Sequence, residues 1–138
     1  MQVATCRVGG AVSLSDRSRI DIYSRQGDRI CLGATAPAGT ELILGGASVC
    51  PIAGRQPVWT YLFSLQALRR FVLGEFEVHV WLPGELVPHA AGCEDWLHVG
   101  VVPASDHASV VPWSAPATPA FPLVQVEDGG GWLLSRIA

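Results

Sequence analysis

The stretch PVWTYLFSLQALRRFVLG, residues 57–74, decides how this chain is read. Between Pro57 and Gly74 it holds no glycine and no further proline. Val58, Tyr61, Leu65, Leu68 and Val72 recur at helical spacing and make one apolar stripe. Pro57 suits the first helical position and Gly74 the residue just past the last turn. Arg69 and Arg70 fall where positive charge complements the helix dipole. The spacing therefore predicts a helix over 58–73. Trp59, Leu62, Phe63 and Leu73 lie off the stripe, so this helix would be apolar on most of its sides. A helix of that kind has to be wrapped by a sheet or pressed against a second subunit.

The flanking segments read as β. Residues 18–33 form a hairpin pattern in which Arg19 to Tyr23 alternates, Gln26-Gly27-Asp28 turns, and Arg29 to Leu32 returns. Thr40 to Leu44 is a short strand stopped by Gly45-Gly46, and 47–56 is a loop punctuated by Pro51 and Gly54. Glu75 to Leu82 alternates, with Phe76, Val78, Val80 and Leu82 on one face and Glu75, Glu77, His79 and Trp81 on the other. Trp96 to Val102 and Ala108 to Trp113 read as further strands. Phe121 to Glu127 and Trp132 to Ile137 flank Asp128-Gly129-Gly130-Gly131, a hairpin signal. Strands in runs around one helix point to α+β: an antiparallel, β-rich curved sheet or small barrel packed around one long apolar helix, as a single globular domain over residues 1–138.

Composition narrows the function classes. The chain has 138 residues, 49% hydrophobic and 15% charged, enough to build a sizeable core. Its net charge is −3 and its nine basic residues are scattered apart from Arg69-Arg70, which argues against a nucleic-acid partner. It contains no lysine, so Schiff-base and P-loop lysine chemistry are excluded. No uncharged apolar run reaches the roughly 18 residues of a membrane span. The first residues lack a charged segment followed by an apolar one, so a cytoplasmic location is expected. Cys6, Cys31, Cys50 and Cys93 match no zinc or redox spacing and are expected as free thiols. So little charge leaves apolar surface, from which a homodimer or higher homo-oligomer is expected.

None of the common nucleotide, hydrolase or zinc motifs is present. What stands out is a cluster: all four histidines fall between residues 79 and 107, in the company of Glu77, Glu85, Cys93, Glu94, Asp95 and Asp106. Histidine suits proton transfer near neutral pH, and a carboxylate beside it orients the ring. His79, His98, Cys93, Asp95 and His107 are the candidate catalytic residues. If the strands holding Glu77-His79-Trp81 and Trp96-His98 pair antiparallel, His79 and His98 point the same way and line a pocket. Glu77, His79 and His98 are also the candidate ligands for a divalent metal, and no organic cofactor is expected. The plain alternative is a solvated outer sheet face covered by tryptophans. Cys50, shortly before the expected helix start, is a weaker nucleophile candidate. Ser105, His107 and Asp95 compose a triad on paper, without the nucleophile elbow that such a triad normally sits on.

Three functions follow as expectations. The first is a small cofactor-free enzyme of cyclase, isomerase or dehydratase type, acting by acid–base chemistry on an apolar or aromatic metabolite. The second is a non-catalytic small-molecule-binding module, and the third an oligomerising accessory or structural subunit. The first two require an enclosed apolar cavity with polar groups facing inward. The third requires a packed interior and an apolar surface patch.

Overall fold

The computed structural model describes residues 1–55, 57–85, 95–104 and 123–134, with the backbone alone for 53–55 and 128–134. Within these, the strands in chain order are β1 (Gln2–Leu14), β2 (Arg19–Gln26), β3 (Arg29–Pro37), β4 (Leu42–Leu44), β5 (Ala47–Val49), β6 (Ala53–Arg55), β7 (Val58–Leu65), β8 (Arg70–Leu73), β9 (Phe76–Trp81), β10 (Trp96–Pro103) and β11 (Leu123–Leu134). All pairings are antiparallel, in the order β5-β4-β8-β9-β10-β1-β2-β3-β7-β6, with β11 alongside β1. The result is a nearly closed, barrel-like sheet.

The expected helix does not exist, and the α+β assignment is corrected to all-β: no α-helix occurs among the described residues. Residues 58–73 are instead β7 and β8, joined by a turn over Gln66–Arg69. Two positions four apart, such as Tyr61 and Leu65, share a face in both a helix and a strand, so the stripe did not separate the two periods. Trp59 and Phe63 do. In the fold they pack against the core on the same side as the buried Tyr61 and Leu65, while Val58 and Leu62, at alternate positions, are exposed. That is period two. Valine, tryptophan, threonine, tyrosine and phenylalanine, which open the segment, all favour strands.

Two further expectations are corrected. The 47–56 loop contains β5 and β6. The glycine run at 128–131 makes no hairpin: β11 runs through it, and both its halves pair with β1. The expected strand at 108–113 lies outside the described residues. The hairpin at 18–33 and the strands around 76–81 and 96–102 are present as read.

The longest strand, β1, gave no clear signal. Its inward residues Ala4, Cys6, Val12 and Leu14 alternate, but Gly9-Gly10 breaks the run. This break is a bulge: Cys6 faces Gly129 and Ala11 faces Glu127, so β1 uses five positions where β11 uses two. Gly9 takes a positive φ of 94°. The first half of β1 pairs with β10 and the second with β2, so the bend hands the sheet from one half of the barrel to the other.

The two ends of the sheet, β5 and β6, are consecutive in the chain, so Cys50–Ile52 bridges the seam covalently. One side-chain bond closes it further: the Tyr61 hydroxyl donates to Thr40 O at 2.6 Å. On the β6 side, Ile52 N donates to Thr60 O at 2.8 Å and Ala38 N to Pro57 O at 2.7 Å, extending the ladders that hold β7. Inside, Phe63 of β7 meets Phe71 of β8 edge to face at 4.8 Å. Among the described residues such side chains make up the interior, Ile20, Ile22, Leu32, Leu73 and Leu97 among the fully buried. The space assigned to a wrapped helix is thus occupied by strand side chains, and the enclosed pocket expected beside that helix loses its premise.

Candidate functional site

β9 and β10 pair antiparallel, with His98 opposite Trp81 and Gly100 opposite His79. Cross-strand partners share a face, as do alternate residues along a strand. Phe76, Val78 and Val80 are in the core, so Glu77, His79 and Trp81 point outward. His79 and His98 therefore lie on one face, two positions apart in register. That face is the outside of the barrel, not its interior.

Each histidine has its own neighbours. His98 is buried, and its Nδ1 lies 3.2 Å from the Thr5 hydroxyl on β1. Burial pushes the His98 imidazole below its ordinary pKa, because the charged form loses hydration without gaining a counter-charge. His79 Nε2 lies 3.4 Å from Oε1 of the buried Glu77, and the His79 ring stacks on Trp81 at 5.8 Å with 16° between planes. Trp81 in turn lies on the backbone of Gly100. A Cβ there would sit 2.6 Å from the indole and 2.7 Å from Met1 Sδ. Small size at 100 is what leaves room for the outer edge of the indole. At the far end of β10, the Arg7 guanidinium covers the Trp96 ring at 4.9 Å.

Beside the His79–Trp81 pair is an open cleft of about 200 Å³, lined by residues 67–70 and 79–81. Arg69 is committed within it: Nη1 donates to Gln66 O at 3.1 Å and Nη2 pairs with Glu85. Arg70 stands opposite His79 in the β8–β9 register. Among the described residues its side chain enters no hydrogen bond or ion pair.

The other candidates are not drawn together. Asp95 is exposed at the start of β10, where its carbonyl accepts a bond from Val8 N at 2.8 Å. Cys93 and His107 lie outside the described residues, as do His89, Glu94, Ser105 and Asp106. The triad of Ser105, His107 and Asp95 thus has one described member. Cys50 is an exposed free thiol, and with no helix after it the argument for its activation by a helix N-terminus falls. Among the described residues no three His, Cys, Asp or Glu side chains group so as to hold a metal ion. Glu77 and His79 adjoin, while His98 is turned to Thr5. Also among the described residues, no helix is long and apolar enough to cross a membrane.

The sequence offers no site role for Thr5, Arg70 or Gly100. Thr5 sits on the strand that the glycine pair disguised. Arg70 was assigned to a helix end. Gly100 was legible in principle, two residues beyond His98 on the same face.

Comparison with known proteins adds no relative: no protein family, characterised protein or solved structure matches this chain.

Proposed function

We propose that this chain is a non-catalytic accessory module that associates with a second copy of itself through the outer face of β3 and β7. One observation carries the reading: among the described residues, interior positions are taken by strand side chains, while the outer face of β3 and β7 is partly apolar and uncharged apart from Arg29 at its end. β3 and β7 pair from Ile30–Leu65 to Pro37–Val58. The outward positions, Cys31 to Pro37 on one strand and Val58 to Ser64 on the other, bear no charge. Leu62 is 49% exposed opposite Gly33, and Tyr23, 55% exposed, lays its ring over that glycine. Ile52 is exposed beside the same strand. A two-fold contact sets a surface against itself, which suits a neutral patch and disfavours a charged one. A strongly charged partner would meet no counter-charge there.

Sedimentation analysis tests this. The wild-type chain is expected to form a dimer that dissociates on dilution, and Leu62→Glu a monomer with an unchanged circular dichroism spectrum. A wild-type chain that stays monomeric at its highest soluble concentration overturns the reading.

A second reading, the cofactor-free acid–base enzyme, is favoured by the contact of Glu77 with His79 beside an open cleft. Such an enzyme would exchange protons of an aromatic acid with solvent. NMR of a panel of arylacetates and aryl-2-oxo acids in deuterated water tests it. Exchange faster than in His79→Gln supports catalysis, and rates equal to buffer reject it.

A further inference from the structure

The cleft beside His79 and Trp81 is untouched by the self-association surface, which lies on β3 and β7. We propose that it binds a planar aromatic carboxylate, whose ring extends the His79–Trp81 stack and whose carboxylate meets the Arg70 guanidinium.

The argument starts from ring geometry. His79 and Trp81 are nearly parallel, and both line the cleft. The outer edge of the Trp81 indole occupies the space a side chain at Gly100 would take, so the platform exists before any ligand arrives. A flat ring added to a flat platform gains contact area and loses little conformational freedom.

Charge supplies the second half. Arg69 is tied to Gln66 and Glu85, whereas the Arg70 guanidinium has no partner among the described residues. It lines the cleft from the strand next to His79. A guanidinium presents two parallel N–H donors that match a carboxylate, which a neutral ligand does not offer. Leu68, exposed at the rim, adds apolar surface for the edge of a ring. The cleft's volume of about 200 Å³ is below the roughly 300–1,000 Å³ of sites for drug-sized ligands. One or two fused rings suit it.

The probe is 2-naphthoate, followed by calorimetry and by chemical shifts of the Trp81 indole and His79 ring. The wild-type chain is expected to bind it with Kd of about 1 mM or tighter. Arg70→Gln is expected to weaken binding about tenfold, the effect of losing a charge-assisted pair. Neutral 2-naphthamide is expected to bind at least as weakly as naphthoate does to that variant. Trp81→Leu also removes affinity, but Trp81 packs on the sheet, so the Arg70→Gln and amide results decide without it. Leu62→Glu is expected to bind 2-naphthoate as the wild type does, which separates this site from self-association. The proposal is overturned if the wild type shows no binding, if Arg70→Gln binds equally well, or if acetate binds as tightly as naphthoate.

Discussion

The Tyr61 hydroxyl donates to the carbonyl oxygen of Thr40 at 2.6 Å, across the line where the sheet closes on itself. Tyr61 is 1% exposed, and burial, followed by the nearby Glu41 and Cys50, raises its phenol pKa above the ordinary value. The group stays a neutral donor well into alkaline pH. Tyr61→Phe keeps the ring in the core and removes only the donor. It is expected to cost about 1–3 kcal/mol in urea denaturation, the range for leaving a buried acceptor unpaired. Unchanged stability would show that Thr40 finds another partner and that this bond does not hold the seam.

Two glycines with equally crowded surroundings are expected to differ. A Cβ on Gly10 meets the Glu127 carbonyl oxygen at 2.4 Å and Cys6 Sγ at 2.7 Å. Backbone cannot step aside, so Gly10→Ala forces β1 and β11 apart and is expected to lose about 1–3 kcal/mol or more. The three atoms nearest a Cβ on Gly33 all belong to the Tyr23 side chain, the closest at 2.5 Å, and that side chain is exposed. Gly33→Ala is expected to stay within about 1 kcal/mol of wild type by swinging Tyr23 outward. Thermal melts of the two variants give the comparison, and reversal of their order refutes it.

His98 gives the fold a pH dependence of definite sign. Its folded pKa lies below the ordinary value of about 6.5. As pH falls from neutral through about 6.5, the unfolded chain takes up a proton at this residue that the folded chain refuses, so stability drops. The loss levels off once pH passes below the folded value. Melting temperatures between about pH 7.5 and pH 5.5 should fall more steeply for wild type than for His98→Gln. Parallel profiles would mean that His98 is hydrated in solution.

Arg19 grips Glu127 with two bonds, 2.9 and 2.8 Å, and ties β2 to β11. Glu127 and then Asp21 raise the arginine's pKa, yet the side chains of Arg19 and Glu127 are 42% and 44% exposed. Solvent screening dominates at such exposure. A double-mutant cycle with Arg19→Ala and Glu127→Ala is expected to yield about 0.2–1 kcal/mol. The coupling should shrink further at high salt. A larger, salt-insensitive value would contradict this surface assignment.

Much of the site was readable before the fold was known. The alternation of Glu77, His79 and Trp81 against Phe76, Val78 and Val80 assigns faces from strand geometry alone, and the placement of His79 with His98 needed only the pairing of β9 with β10. That the shared face is external was not readable, because alternation says which residues go together and not which side is covered. Arg70 stayed hidden for a related reason: its position opposite His79 depends on β8 being a strand.

Local chemistry was enough to determine the β-rich antiparallel character, the hairpin at 18–33, the scatter of basic residues along the chain and the placing of His79 and His98 on neighbouring strands. These follow from side-chain periodicity and charge, which each segment carries by itself. Tertiary structure alone decided that 58–73 is extended, that β1 bends at Gly9-Gly10, and that β11 passes straight through its glycines. In each case the local pattern fits two conformations almost equally well. The choice falls to whichever one packs Trp59, Tyr61, Phe63 and Leu65 against the core together and pairs the backbone of 58–65 with β3, about 30 residues away in the chain.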